Sequence, residues 1–266
     1  MKYCYPVTTP ECKGNIKAIM ESYDKAFSWL RECGYDGVEL LTRDPAAVDI
    51  QLLDEKLAEY DLQIAAIGTS PMQIEDKLFL MHPDKANRDE ARSRFTGLIE
   101  LGRHFNAPVL YGKYRGMLRD EPGCSRDDLL NVTLDVCNKA AEAGIRVLLE
   151  PQNPTNINNL NTIDESLSWI IENDIPALGL LADIYHMGIT EPDICASLVK
   201  AMGYIGFIHM SDSERKIPGT GSLPLREVYK TLVKSGYPAY VSFEINQLPD
   251  SFTAAQQSIH FMRSCV

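Results

Sequence analysis

Val147-Leu148-Leu149-Glu150, Leu180-Leu181-Ala182-Asp183, Phe207-Ile208-His209 and Val241-Ser242-Phe243-Glu244 are the stretches whose reading decides the fold. Each is a short apolar run that closes on a side chain able to hold a metal ion. They are the last four of eight short, β-rich runs: Lys2–Val7, Gly37–Leu41, Gln63–Gly68, Pro108–Tyr111, Arg146–Glu150, Leu178–Asp183, Ile205–Met210 and Tyr240–Ile245. Between them lie longer segments with apolar residues at helical spacing, such as Ala26-Phe27-Trp29-Leu30, Leu129-Leu130-Val132-Thr133-Val136 and Val228-Tyr229-Leu232-Val233. Several of these end in a glycine turn before the next run: Cys33-Gly34-Tyr35-Asp36-Gly37, Ala143-Gly144 and Ser235-Gly236. Eight strand–helix alternations predict parallel strands with right-handed crossovers, and eight such units close a (β/α)8 TIM barrel. An open doubly wound sheet is the competing fold. It is disfavoured because no G-x-G-x-x-G follows the first strand and polar residues end many strands instead of two.

The 266 residues, 45% hydrophobic and 24% charged, suit one such domain, and no linker, low-complexity tract or compositional shift divides them. A single domain over residues 1–266 is therefore expected. The formal charge of −11 argues against nucleic acid or an anionic membrane surface as partner. Seven cysteines without a C-x-x-C pair fit a reduced, cytoplasmic setting. No signal-peptide pattern and no run of about 18 apolar residues occurs, so neither secretion nor membrane spanning is expected.

A TIM barrel places its chemistry where strands finish at the carboxyl face. Glu150, Asp183, His209 and Glu244 close four consecutive strands, and neighbouring strands lie about 4.8 Å apart, so the four can converge on one ion. An acidic residue at a strand end is more often a helix cap or half of an ion pair, and a lone histidine is more often a satisfied one. The constellation is what points to a metal. Three carboxylates and one imidazole suit a hard to borderline divalent cation, Mn²⁺ first, with Mg²⁺, Co²⁺ and Zn²⁺ also compatible. His186, three residues beyond Asp183, is placed to bond a substrate oxygen, and Arg215 offers a charged fork to a hydroxyl, carboxylate or phosphate. Glu39, read as ending the second strand, is a further rim candidate. Lys113 and Arg115 follow the fourth strand, where they could receive a phosphate or carboxylate, although ordinary ion pairing explains them as well. Tyr185, Trp29 and Trp169 read as packing residues, and His82, His104 and His260 fall away from the rim.

With these residues in hand, the chain resembles the xylose-isomerase-like TIM barrels, in particular the sugar isomerase/epimerase group with ketose 3-epimerases and hydroxypyruvate isomerases. The matching elements are Gly37-Val38-Glu39-Leu40, Leu149-Glu150-Pro151-Gln152-Asn153, Asn161-Thr162, Asp183-Ile184-Tyr185-His186-Met187, His209-Met210-Ser211-Asp212, Pro218-Gly219-Thr220-Gly221 and Phe243-Glu244. The resemblance implies that Glu150, Asp183, His209 and Glu244 ligate the metal, that the two glutamates also serve as acid and base, and that His186 and Arg215 contact substrate. A carbon next to a ketone is a weak acid, so such chemistry needs a cation to stabilise the developing enediolate and a positioned base. Return of the proton to the opposite face gives an epimer; delivery to the neighbouring carbon gives an aldose–ketose isomerisation. The resemblance further implies a small carbohydrate substrate and a homo-oligomer. One departure stands out: the related pattern Glu-Pro-x-Asn-Arg-x-Glu reads here Glu150-Pro151-Gln152-Asn153-Pro154-Thr155-Asn156. Pro154 and Asn156 replace the arginine and second glutamate, which points away from standard free-ketose 3-epimerisation. The competing readings are a lyase of the same superfamily (an inosose or dehydroshikimate-type dehydratase, or the catalytic subunit of a C-glycoside deglycosidase), a DNA-repair endonuclease and a non-catalytic barrel. The endonuclease would need a histidine-rich multi-metal cluster, which two rim histidines do not supply.

Overall fold

In the computed structural model, which describes residues 1–265, the eight strands close into one parallel barrel in the order β1 to β8. They are β1 (Lys2–Thr8), β2 (Gly37–Leu41), β3 (Gln63–Gly68), β4 (Val109–Tyr111), β5 (Val147–Leu149), β6 (Leu178–Asp183), β7 (Ile205–His209) and β8 (Tyr240–Ser242), with β8 pairing back onto β1 through Lys2↔Tyr240. The helices are α1 (Tyr23–Cys33), α2 (Ile50–Tyr60), α3 (Ser70–Asp76), α4 (Lys85–Phe105), α5 (Arg126–Glu142), α6 (Ile163–Glu172), α7 (Ile184–Thr190), α8 (Ile194–Ala201), α9 (Leu225–Lys234) and α10 (Ser251–Arg263). All eight expected strands and the three expected helical patterns are present. The expected αβ joints follow too: Gly34 takes φ 79° and its N–H bonds back to Arg31 O and Leu30 O, closing α1.

The strand interiors explain where the site sits. Successive side chains point to opposite faces, so Val147 and Leu149, Leu180 and Ala182, Ile208, and Val241 and Phe243 pack outward in the large core under the helices. Leu110, Leu148, Leu181 and Phe207, with Cys4, Ala65 and Ala66, point inward and fill the barrel. Two residues further along the same inward face come Gly112, Glu150, Asp183 and His209, and Glu244 follows Ser242 in the same way. The apolar layer thus forms the floor of a pocket, and the next inward layer forms its walls. β5, β7 and β8 stop one to three residues short of the sequence expectation, because the ladder loses its partners as the chain turns out over the rim. Glu150 still donates its N–H to Tyr111 O at 3.2 Å, so its backbone remains tied to β4.

Leu181 is fully buried in the inner layer. Leu181→Ala is expected to lower unfolding free energy by about 2–5 kcal/mol, measured by urea denaturation, because the closed barrel cannot collapse onto the cavity.

Candidate active site

Ligand atoms of Glu150, Asp183, His209 and Glu244 all lie within 4.8 Å of one another at the carboxyl end of the barrel. His209, nearly fully buried, is the centre. Its Nε2 lies 3.2 Å from Glu39 Oε2, whose other neighbour is the Ser242 hydroxyl, donating at 2.6 Å. Its Nδ1 has no hydrogen-bond partner and faces Glu150 Oε1 at 3.5 Å, Asp183 Oδ2 at 3.6 Å and Glu244 Oε2 at 3.9 Å. A neutral ring that donates Nε2–H to Glu39 turns its Nδ1 lone pair toward three carboxylates, an arrangement that calls for a cation between them. In the absence of a metal the ring itself becomes that cation: burial pushes its pKa down, but Glu39, Asp183 and Glu150 outweigh burial and hold it well above the usual histidine range. The orphaned nitrogen and the carboxylate donors therefore fit one hard to borderline divalent ion.

Asp183 performs the two tasks that its strand-end position allowed. Its Oδ1 caps α7 by accepting the N–H of Tyr185 at 2.9 Å and of His186 at 3.2 Å, while its Oδ2 faces the cluster and takes Arg215 Nη1 at 2.7 Å. Burial raises the carboxyl pKa, but Arg215 and His186 more than offset this and hold it well below the ordinary carboxylate range.

Arg215 is drawn into the site. Its Nη2 stands 2.8 Å from Glu244 Oε2, and its guanidinium lies over the Tyr185 ring at 4.4 Å, so Tyr185 is more than a packing residue. Both Glu214 and Arg215 adopt left-handed backbone, with φ 59° and 57°. Strain of this kind costs about 1–3 kcal/mol per residue and persists only where the surroundings impose it. Here the imposing groups are Asp183, Glu244 and Asp212, the last accepting N–H groups of Ser213, Gly219 and Leu223 to fold the loop. His186 accepts at Nδ1 from the Asn153 amide at 2.8 Å, and that amide is oriented by its oxygen, which accepts the Thr155 N–H and hydroxyl. Its Nε2 lies 3.0 Å from Arg215 Nη2, a group that can only donate, so the ring is braced between Asn153 and Arg215 on the pocket wall.

Two sequence expectations are corrected. Glu39 does not end β2: it lies two residues before the end, points into the barrel and holds the His209 ring. Arg115 is fully buried and does not line the pocket. Its guanidinium donates to Asn159 Oδ1 and to the carbonyls of Gly112, Glu150, Asn159 and Leu160, at 2.8–3.3 Å. With no carboxylate against it, burial lowers its pKa to about 10. It fastens the loop after β4 to the end of β5, which fixes the Glu150 backbone and leaves no donor for substrate.

The pocket, about 290 Å³, is lined by Glu150, His186, His209, Arg215 and Glu244 on the β5–β8 side, with Lys113 and Asn156 also on its wall and Glu39 below. Pro154 is exposed on the outside of the same loop. Sequence reading missed Lys17 and Gln152. Gln152 donates to Glu150 Oε2 and keeps a buried, unpartnered Oε1. Gly112 makes that contact possible, since a Cβ there would come within 2.5 Å of Glu150 Oε2. The alternation of β4 was the available signal: the inward position after Leu110 carries no side chain.

Residues 27–265 match the family model described as the xylose isomerase-like TIM barrel. The chain belongs to this family. It is 30% identical to a ketose 3-epimerase of Arthrobacter globiformis over 218 residues, covering 80% of this chain and 74% of that protein. A 3-dehydro-D-guloside 4-epimerase of Escherichia coli (strain K12) is 31% identical over 127 residues, 47% of this chain and 48% of that protein. Among solved structures, one of L-ribulose 3-epimerase superposes with a TM-score of 0.81 at 23% identity, covering 98% of this chain and 93% of the other, and shares the fold.

An ion held at His209 would depend on Glu39 behind the ring. Glu39→Gln is expected to weaken Mn²⁺ binding about 10–100-fold by isothermal titration calorimetry, as loss of a carboxylate behind a metal-bound histidine generally does; an unchanged affinity would contradict the arrangement.

Proposed function

We propose that this protein is a divalent-metal-dependent sugar epimerase that works by removing and returning a proton next to a ketone. The observation that carries the proposal is the buried, unpartnered Nδ1 of His209 facing three carboxylates within 3.9 Å. The ketose 3-epimerase and the 4-epimerase among its relatives support the same class, and together they leave the reacting carbon open.

Glu150, Asp183, His209 and Glu244 would hold the ion, with Mn²⁺ the first choice for three carboxylates and one imidazole. The ion would supply electrostatic stabilisation of negative charge developing on the substrate oxygen. Glu150 and Glu244 close β5 and β8 from separate loops, and one takes the proton from carbon while the other returns it to the opposite face. Gln152 and the Gly112 gap fix the Glu150 carboxylate; Arg215 fixes that of Glu244. His186, braced between Asn153 and Arg215, lies on the pocket wall where it can contact a substrate oxygen. No described helix is long and apolar enough to cross a membrane, and the seven cysteines are free, which supports a reducing, cytoplasmic setting.

Incubation of the Mn²⁺-loaded protein with a panel of ketoses and keto sugars in D₂O is expected to place deuterium on the carbon next to the carbonyl without elimination. Glu150→Gln and Glu244→Gln should each slow this exchange by about 10²–10⁴-fold. Loss of water or of an aglycone would assign a lyase instead, and exchange that survives both substitutions would refute the acid/base pair.

A further inference from the structure

The pocket is divided. Its metal-binding side comes from β5–β8, and its opposite wall comes from the first half of the barrel: Leu41 at the end of β2, Ser70 and Gln73 on α3, Lys113 after β4, and Lys17 from the loop after β1. A substrate whose carbonyl and hydroxyl oxygens face Glu150 and Glu244 must extend its remaining carbons toward that wall.

Lys17 and Lys113 both line this wall. Each is half-buried, and neither ammonium group makes a hydrogen bond or an ion pair to any described residue, whereas the guanidinium groups of Arg215 and Arg115 are fully engaged. The charge count makes the two lysines informative. Glu39, Glu150, Asp183 and Glu244 are four negative charges, which Arg215 and a divalent ion offset to within one. The two lysines then leave the occupied pocket with one positive charge in excess. Asn156, which also lines the pocket, is neutral and does not cancel it. Holding two partly desolvated ammonium groups without a counterion is unfavourable unless the ligand brings one.

We infer that Lys17 and Lys113 form an anion subsite, so that the substrate is a keto sugar ending in a carboxylate or phosphate at the end remote from the metal. This rests on the epimerase reading above for its metal end. The single excess charge favours a carboxylate, that is, a keto sugar acid. The cavity of about 290 Å³ has room for a small monosaccharide acid.

Calorimetric binding to the Mn²⁺-loaded protein tests the subsite with three probes: 5-keto-D-gluconate, D-fructose 6-phosphate and D-fructose. At low ionic strength at least one anionic probe is expected to bind about tenfold or more tightly than D-fructose. The stronger of the two anions names the terminal group. Lys17→Met/Lys113→Met should abolish the preference with little change in melting temperature, because neither ammonium group has a partner in the fold. Lys113→Arg, alone, should keep it. Equal binding of all three probes, a preference unchanged in the double variant, or no measurable binding of either anion overturns the inference. Deuterium exchange run in parallel separates the two claims. Exchange into D-fructose without an anion preference leaves the epimerase standing and removes the subsite. An anion preference without exchange does the reverse.

Discussion

Three carboxylate oxygens stand 3.5–3.9 Å from a buried imidazole nitrogen that has no hydrogen-bond partner, and the rest of the site is arranged around that concentration of negative charge. Charges of one sign this close, out of water, are tolerable only with a cation among them. Arg215 supplies part of the compensation, and the left-handed backbone at Glu214 and Arg215 shows how firmly the loop is pulled in to deliver it. Glu39 supplies the constraint from below: with Nε2 of His209 committed to it, Nδ1 has one direction left to face. The fold tolerates the cluster because the barrel is rigid beneath it, the inner layer of Leu110, Leu148, Leu181 and Phe207 leaving no slack through which the four side chains could spread apart.

The fold and the four clustered side chains were legible because one rule generates both. A strand that buries both faces reads as an apolar run, and the first polar residue on its inward face marks the rim. Val147-Leu148-Leu149-Glu150 and its three counterparts follow that rule. What the rule cannot supply is contact between residues far apart in the chain. Glu39 was legible as a carboxylate near a strand end, but its attachment to His209, 170 positions away, depends on the closing of the barrel. Arg115 and Lys113 looked alike in sequence; the short helical turn over Lys113–Arg115 sends one into the protein and leaves the other on the pocket wall. Lys17 lies in a loop without periodicity, so nothing local distinguishes it from a solvated lysine. Gln152 and Gly112 matter only through their approach to Glu150, which no spacing encodes.

The division of the barrel gives the site its chemical sense. The second half of the chain concentrates the carboxylates and the imidazole, residues suited to holding a cation and moving a proton. Apart from Glu39, which sits behind His209, the first half supplies neutral and cationic side chains suited to recognition. Asn156, in the loop after β5, also lines the pocket, and its uncharged amide adds no acidic character there. Related barrels can thus retain the same proton chemistry while the loops after the early strands select the substrate.

Electron spin-echo spectroscopy of the Mn²⁺-loaded protein tests the central claim most directly, because it counts imidazole nitrogens on the ion. The account predicts coupling to a single histidine nitrogen that disappears in His209→Gln. Absence of any nitrogen coupling, or a spectrum unchanged in His209→Gln, would contradict it.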